Sequence, residues 1–215
     1  MRIAIIGAGN VGGTLGRRWA ELGHDVVFGV REPSKGAGAV KGSGGLPPKA
    51  HVAALAESVR SADVVVLATP WGAVPDALRA IGATDGALNG IPLFDATNPL
   101  GPGLTLDVGP KGESGAERVQ ALAPGARVVK VFNTTGFDNM ANPDYGGAPA
   151  TMFIAGDDAG AKEKASSLAA ALGFEPLDCG ALVRARELEH LALLWISLAF
   201  GGMGRDIAFR LVRRA

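Results

Sequence analysis

Cysteine, histidine and tyrosine are nearly missing from this chain, and each scarcity removes a class of chemistry. One cysteine, Cys179, excludes an internal disulfide and points to a reducing compartment; His24, His51 and His190 lie too far apart for clustered metal ligands. The sole tyrosine, Tyr145, falls in a loop, and neither a Ser/His/Asp nor a Tyr/Lys constellation is visible. Charge of one sign is also missing: 21 Lys+Arg cancel 21 Asp+Glu without a long basic run, so there is no electrostatic footprint for nucleic acid or an anionic membrane. The uncharged stretch at 191–204 falls short of the ~20 residues that span a bilayer, and the N-terminus lacks the apolar core of a signal peptide. These features predict a cytoplasmic protein with a small-molecule partner.

Glycine and apolar residues are abundant. The 32 glycines follow no period of three, which excludes collagen, and 47% hydrophobic against 20% charged residues is enough for one core. Short apolar runs alternate with helical patterns, as in parallel strands covered on both faces by crossover helices. Strands are predicted at 2–6, 25–30, 63–68, 91–96, 127–132, 150–155 and 174–178, with a short one near His51. Helices are predicted at 11–22, 53–60, 71–80, 114–123 and 159–172, the last capped by Asp157 or Asp158, and two more close the chain. The pattern describes a doubly wound, mostly parallel α/β sheet with a small helical C-terminal portion. The pattern divides the chain into an α/β domain at 1–135 and a smaller portion at 136–215 that completes the sheet.

Residues 101–115 and 136–149 are rich in glycine, proline and small polar residues, and read either as plain connections or as a lid or pocket wall. Residues 36–45 read as linker. The helix at about 184–200 is apolar on nearly every side, so it must be buried all round, most simply against a second copy in a homodimer, otherwise within one subunit.

Gly7-Ala8-Gly9-Asn10-Val11-Gly12 matches G-x-G-x-x-G between an apolar strand and an amphipathic helix carrying Leu15, Trp19 and Leu22. Gly7 allows the tight turn, Gly9 lets the backbone approach a pyrophosphate at the helix N-terminus, and Gly12 lets helix and strand pack closely. Asn10 and Val11 would offer N–H groups to that phosphate. Where an NAD site would carry an acidic residue for the ribose 2′-hydroxyl, the second strand ends Phe28-Gly29-Val30-Arg31. Arg31, with Ser34 and Lys35, offers a guanidinium fork, a hydroxyl and an ammonium to a 2′-phosphate, which predicts NADP(H) over NAD(H).

Ligands in such sheets lie beyond the carboxyl ends of the strands. Thr69-Pro70-Trp71, Asn98-Pro99 and Asn133-Thr134-Thr135 stand at three such ends, where they can orient a ribose and carboxamide or merely cap the next turn. Two residues qualify as proton donors to a carbonyl or imine substrate: His190 within the apolar helix, otherwise a packed core residue, and Lys130 at a strand end, otherwise an ion pair at the sheet rim.

In order and spacing, the glycine fingerprint, Gly29-Val30-Arg31 with Lys35, Ala68-Thr69-Pro70-Trp71, Ala155-Gly156-Asp157-Asp158, Leu177-Asp178-Cys179-Gly180 and Gly202-Met203-Gly204 resemble the NADPH-dependent coenzyme F420 (deazaflavin) oxidoreductase family. The resemblance implies an NADP-binding Rossmann domain at 1–135, an acceptor cleft and dimer interface completed by 136–215, and hydride exchange between NADP(H) and a deazaflavin or flavin, with Arg31 and Lys35 on the 2′-phosphate and Thr69 and the segment after Asn133 on the nicotinamide side. Val30 departs from relatives with a hydroxyl residue there. Two flat rings need only be stacked, so no catalytic acid or base is expected. A non-catalytic NADPH-binding sensor is the remaining reading.

Overall fold

The computed structural model describes residues 1–42 and 45–214. In chain order the elements are β1 (Arg2–Ile6), α1 (Asn10–Glu21), β2 (Asp25–Val30), β3 (Ala50–Ala54), α2 (Leu55–Ser58), β4 (Val64–Leu67), α3 (Val74–Ala80), β5 (Pro92–Asp95), β6 (Leu100–Gly101), β7 (Thr105–Leu106), α4 (Gly115–Leu122), β8 (Arg127–Lys130), α5 (Phe137–Ala141), β9 (Thr151–Gly156), α6 (Ala159–Ala171), β10 (Glu175–Asp178) and α7 (Ala185–Leu198). Eight strands form one sheet in the order β10-β9-β8-β5-β4-β1-β2-β3, and β6 and β7 form a separate hairpin. β1, β2, β3, β4, β5 and β8 are mutually parallel, whereas β9 runs antiparallel to β8 and parallel to β10. Chain order reverses between β1 and β4, which opens a crevice above their carboxyl ends.

Strand alternation splits the core in two. Ile3, Ile5, Val26, Phe28, Val64 and Val66 face α1 and α6, while Ala4, Ile6, Val65 and Leu67 face α3 and α4. Both faces are covered, so β1 and β4 are apolar at nearly every position. Each fully buried Ile, Leu or Phe contributes about 1.5–3 kcal/mol by leaving water. The Trp19 indole N–H of α1 donates to the Leu168 carbonyl of α6 at 3.2 Å, tying the antiparallel end of the sheet to its first helix.

Several expectations need correction. Only one helix of the expected closing pair forms: α7 ends in a widened turn at Ala199–Met203, Gly202 turns the chain at φ 113, and residues 204–214 carry no regular structure. That tail instead runs beside β9, where the Thr151 N–H donates to the Phe209 carbonyl and the Leu211 N–H to Thr151 Oγ1. Within one chain α7 is buried along one face, which counts against its complete burial inside a single subunit. Ala185, Leu188, Ala192 and Trp195 are buried, but Leu194 and Phe200 stay 49% and 75% exposed. The two irregular stretches hold the β6–β7 hairpin and α5, and the strand expected to reach residue 132 stops at Lys130, because Phe132 turns to φ 63. Pro33–Ala39 form short 3-10 turns, and the Lys41 N–H donates to the Ala8 carbonyl at 2.9 Å. Part of the expected linker is therefore docked on the glycine loop; positions 43 and 44 lie outside the described residues.

Candidate functional site: a dinucleotide cleft

The glycine loop has the geometry its spacing predicts. Gly7 adopts φ 102, and a Cβ there would meet the Ala68 carbonyl carbon and oxygen at 2.6 Å; a Cβ on Gly12 would collide with the Gly7 carbonyl. Gly9 is the reverse case. Nothing stands within 4 Å of where its Cβ would be, so the loop leaves open space directly before α1. Gly9 is the N-cap of α1 and supplies no side-chain cap, which leaves the first-turn N–H groups of Asn10 and Val11 free for an anion. A pyrophosphate fits that open space and those donors.

The register of β1 with β2 pairs Ile6 with Gly29, so Arg31 leaves the sheet at the same edge as the glycine loop. Arg31 is exposed and forms no ion pair among the described residues. Ser34 and Lys35 follow on the adjoining turn, both exposed, but the Lys35 ammonium is held by Glu32 at 3.0 Å. Of the expected phosphate ligands, Arg31 is the one whose charge is uncommitted.

At the other end a cleft of about 560 Å³ lies over β1, β4 and β5, and Gly9, Asn10, Val11, Thr69, Pro70, Trp71 and Asn98 line it. Gly7, Ala8, Gly12, Pro99, Asn133, Thr134 and Thr135 are not among its lining residues. None of the lining residues ionises. Two buried acceptors have no partner among the described residues, Thr69 Oγ1 and Asn133 Oδ1, as a site awaiting a polar ligand would leave them. Asn98 and Asn133 are joined: Asn98 Nδ2 donates to the Asn133 carbonyl at 2.9 Å, and Asn133 Nδ2 donates to Asn98 Oδ1 at 3.1 Å and to the Leu188 carbonyl at 3.2 Å. Thr135 Oγ1 accepts from Asn139 Nδ2 at 2.7 Å, so its role here is to fix α5.

Trp71 closes the cleft towards the hairpin. Its indole N–H donates to Asp107 at 2.8 Å, and the Arg118 guanidinium lies 4.8 Å from its ring centre while pairing with the same carboxylate. The Trp71 hydrogen bond and then Arg118 hold the Asp107 carboxyl below its usual range. Residues 101–115 are thus fastened to the cleft.

The proton-donor candidates are placed differently from expectation. His190 is exposed, its Nδ1 is 2.7 Å from the Arg186 carbonyl oxygen, and it does not line the cleft. Lys130 is fully buried rather than at the rim, and its ammonium donates to Asp95 Oδ2 at 2.9 Å, the Thr97 carbonyl at 2.6 Å and Glu189 Oε1 at 2.9 Å. Burial pushes this ammonium towards neutrality, but Asp95 and Glu189 outweigh it and its pKa lies above the usual lysine value. It is therefore a fixed cation. Asp95, Thr97 and Glu189 were not legible as site residues. The available signals were two charges, Asp95 and Lys130, ending neighbouring apolar strands, and one glutamate, Glu189, four residues after Ala185 on the helix face that packs inward.

No helix among the described residues is long and apolar enough to cross a membrane, and among the same residues no group of His, Cys, Asp and Glu could hold a metal ion. The switch-point crevice, glycine loop and bare α1 N-terminus define a dinucleotide-binding Rossmann protein. Residues 2–99 match the family described as NADP oxidoreductase coenzyme F420-dependent. A crystal structure from Arthrobacter sp. FB24, named as a candidate F420-dependent NADP reductase, superposes with a TM-score of 0.86 at 33% identity, covering 99% of this chain and 100% of that one. The F420-dependent NADP reductase of Methanothermobacter marburgensis is 29% identical over 223 residues, 98% of each chain. The rat metalloreductase STEAP3 is 31% identical over 193 residues, which are 89% of this chain but 36% of that protein. The chain belongs to the F420-dependent NADP reductase family and is an NADP-dependent oxidoreductase of that kind.

Proposed function

We propose that this protein passes a hydride directly between NADP(H) and a flat redox ring, coenzyme F420 or a flavin. The observation that carries the reading is a phosphate cradle at Gly9 with an uncommitted Arg31 beside it, next to a cleft with no ionisable lining residue. NADPH, when bound, supplies the hydride. The residues of this chain do the rest: Gly7 to Gly12 seat the pyrophosphate, Arg31 with Ser34 and Lys35 selects the 2′-phosphate, and Thr69 and Asn133 offer acceptors to the carboxamide end. Pro70, Trp71, Asn98, Pro99 and Thr134 shape the wall, and residues 136–215 form the acceptor side. A transfer between rings needs no proton donor in the cleft, which suits its neutral lining. The named reductases that the chain resembles end to end support coenzyme F420 as the acceptor.

The test is an acceptor screen with NADPH and NADH in parallel. NADPH oxidation with F420 or a flavin, and a clear preference over NADH, is expected. Turnover only with a carbonyl or imine compound, or NADPH binding with no turnover, overturns the reading in favour of a substrate reductase or a sensor. We also place the protein in the cytoplasm as a homodimer, with Leu194, Phe200 and Met203 against the second copy; all three are exposed in one chain. A monomer by light scattering contradicts that assembly.

A further inference from the structure

A buried charged cluster adjoins the cleft wall at Thr97. Lys130, Asp95 and Glu189 come from β8, β5 and α7, all essentially without solvent exposure, and the lysine gives each of its three ammonium protons to an acceptor. One acceptor is the Thr97 carbonyl. The other polar groups of Thr97 are also held, since its N–H and its hydroxyl donate to Asp95 Oδ1 at 2.9 and 2.6 Å. Thr97 and its neighbours Ala96 and Asn98 line the cleft. Glu189 reaches past the lysine to accept from the Gly115 and Ala116 N–H groups at 2.9 and 3.2 Å, so the N-terminus of α4 offsets the second carboxylate. Buried ion pairs of this kind add little net stability over apolar residues of the same volume. They do fix geometry, and the geometry fixed here is the cleft wall.

We propose that Lys130 is a positioning residue for hydride transfer: locked between Asp95 and Glu189, its ammonium holds the Ala96–Asn98 wall in register through the Thr97 carbonyl and couples α7 to that wall. The inference rests on the proposed function, because it assigns the nicotinamide ring to this end of the cleft. The wall is held from below by a charge cluster that does not itself line the cleft, so the cluster governs orientation rather than affinity.

The test compares wild type with Glu189→Gln and with the triple variant Lys130→Met/Asp95→Asn/Glu189→Gln. The triple variant removes every charge while keeping acceptors for Thr97 and for the α4 N-terminus, and near-UV circular dichroism checks its fold. NADPH affinity is read by fluorescence titration, ring immobilisation by the fluorescence lifetime of bound NADPH, and transfer by single-turnover oxidation with F420. Affinity should stay within about threefold, while the lifetime shortens and transfer slows about 10–100-fold, the scale of a misplacement near 1 Å. A folded triple variant with wild-type lifetime and transfer rate overturns the proposal. If wild type binds NADPH but reduces neither F420 nor a flavin, the functional reading fails, and the lifetime still decides whether the cluster positions the ring. Should the triple variant not fold, Glu189→Gln carries the same comparison, and unchanged lifetime and rate in it count equally against the proposal.

Discussion

The two ends of the cleft are built from opposite materials. At the glycine loop, the proposed recognition rests on backbone, and what matters is the absence of side chains: Gly9 leaves space, and Gly7 and Gly12 let the loop, β4 and α1 approach within reach of one another. Below the wall at Thr97, order comes from long charged side chains contributed by three distant elements. The first end reads off six consecutive residues, Gly7 to Gly12. The second exists only when β5, β8 and α7 meet, and its groups are costly to strand.

That contrast ranks the expected effects of substitution. Lys130→Met should be the most damaging, because it leaves Asp95 and Glu189 as unpaired buried carboxylates; a loss of about 3–5 kcal/mol is expected in denaturant unfolding. A loss below about 1 kcal/mol would mean that the two ends are not so different. Gly12→Val should destabilise by about 1–3 kcal/mol through overpacking against the Gly7 carbonyl and should abolish NADPH binding in a fluorescence titration. Arg31→Ala should leave the fold untouched and weaken NADPH by about 10–100-fold, the worth of a charge-assisted hydrogen bond, with NADH unchanged. Equal loss for both nucleotides would remove Arg31 from the 2′-phosphate.

Acid sharpens the comparison at the C-terminal side. The Arg186 guanidinium, bonded to Glu117 at 2.7 and 2.8 Å, and the Ser114 capping box lower the Glu117 carboxyl from 4.5 to about 2. A carboxylate with a depressed folded pKa adds stability above its unfolded value, here 4.5, and loses it as pH falls towards about 2. Melting curves of wild type and Arg186→Ala should therefore differ at pH 6, draw together below pH 4.5, and converge only once the pH reaches about 2. Trp71→Phe should have the smallest effect, about 0.5–1.5 kcal/mol for the lost bond to Asp107, seen as a lower melting midpoint.

Most elements were legible because apolar alternation and glycine spacing are local signals; even the short strand near His51 forms, as β3. The errors cluster where partners are remote. Leu194 and Phe200 look like core residues in one dimension, yet within one chain the helix faces inward through Ala185, Leu188, Glu189, Ala192 and Trp195. The residues after Gly204 suggest a helix until the unpaired edge of Thr151 takes them as a strap. His190 stands beside the buried Glu189 but one helical step further round, which is enough to expose it.

The sequence by itself determined the buried apolar strands, the glycine loop and the arginine that follows β2, because each depends on residues adjacent in the chain. Tertiary structure alone decided that Lys130 is a sealed cation, that Asn98 and Asn133 brace one another, and that α7 reaches the cleft wall through Glu189. The physical reason is range: backbone conformation is set by near neighbours, whereas the burial and pairing of a charge depend on which strands and helices arrive beside it.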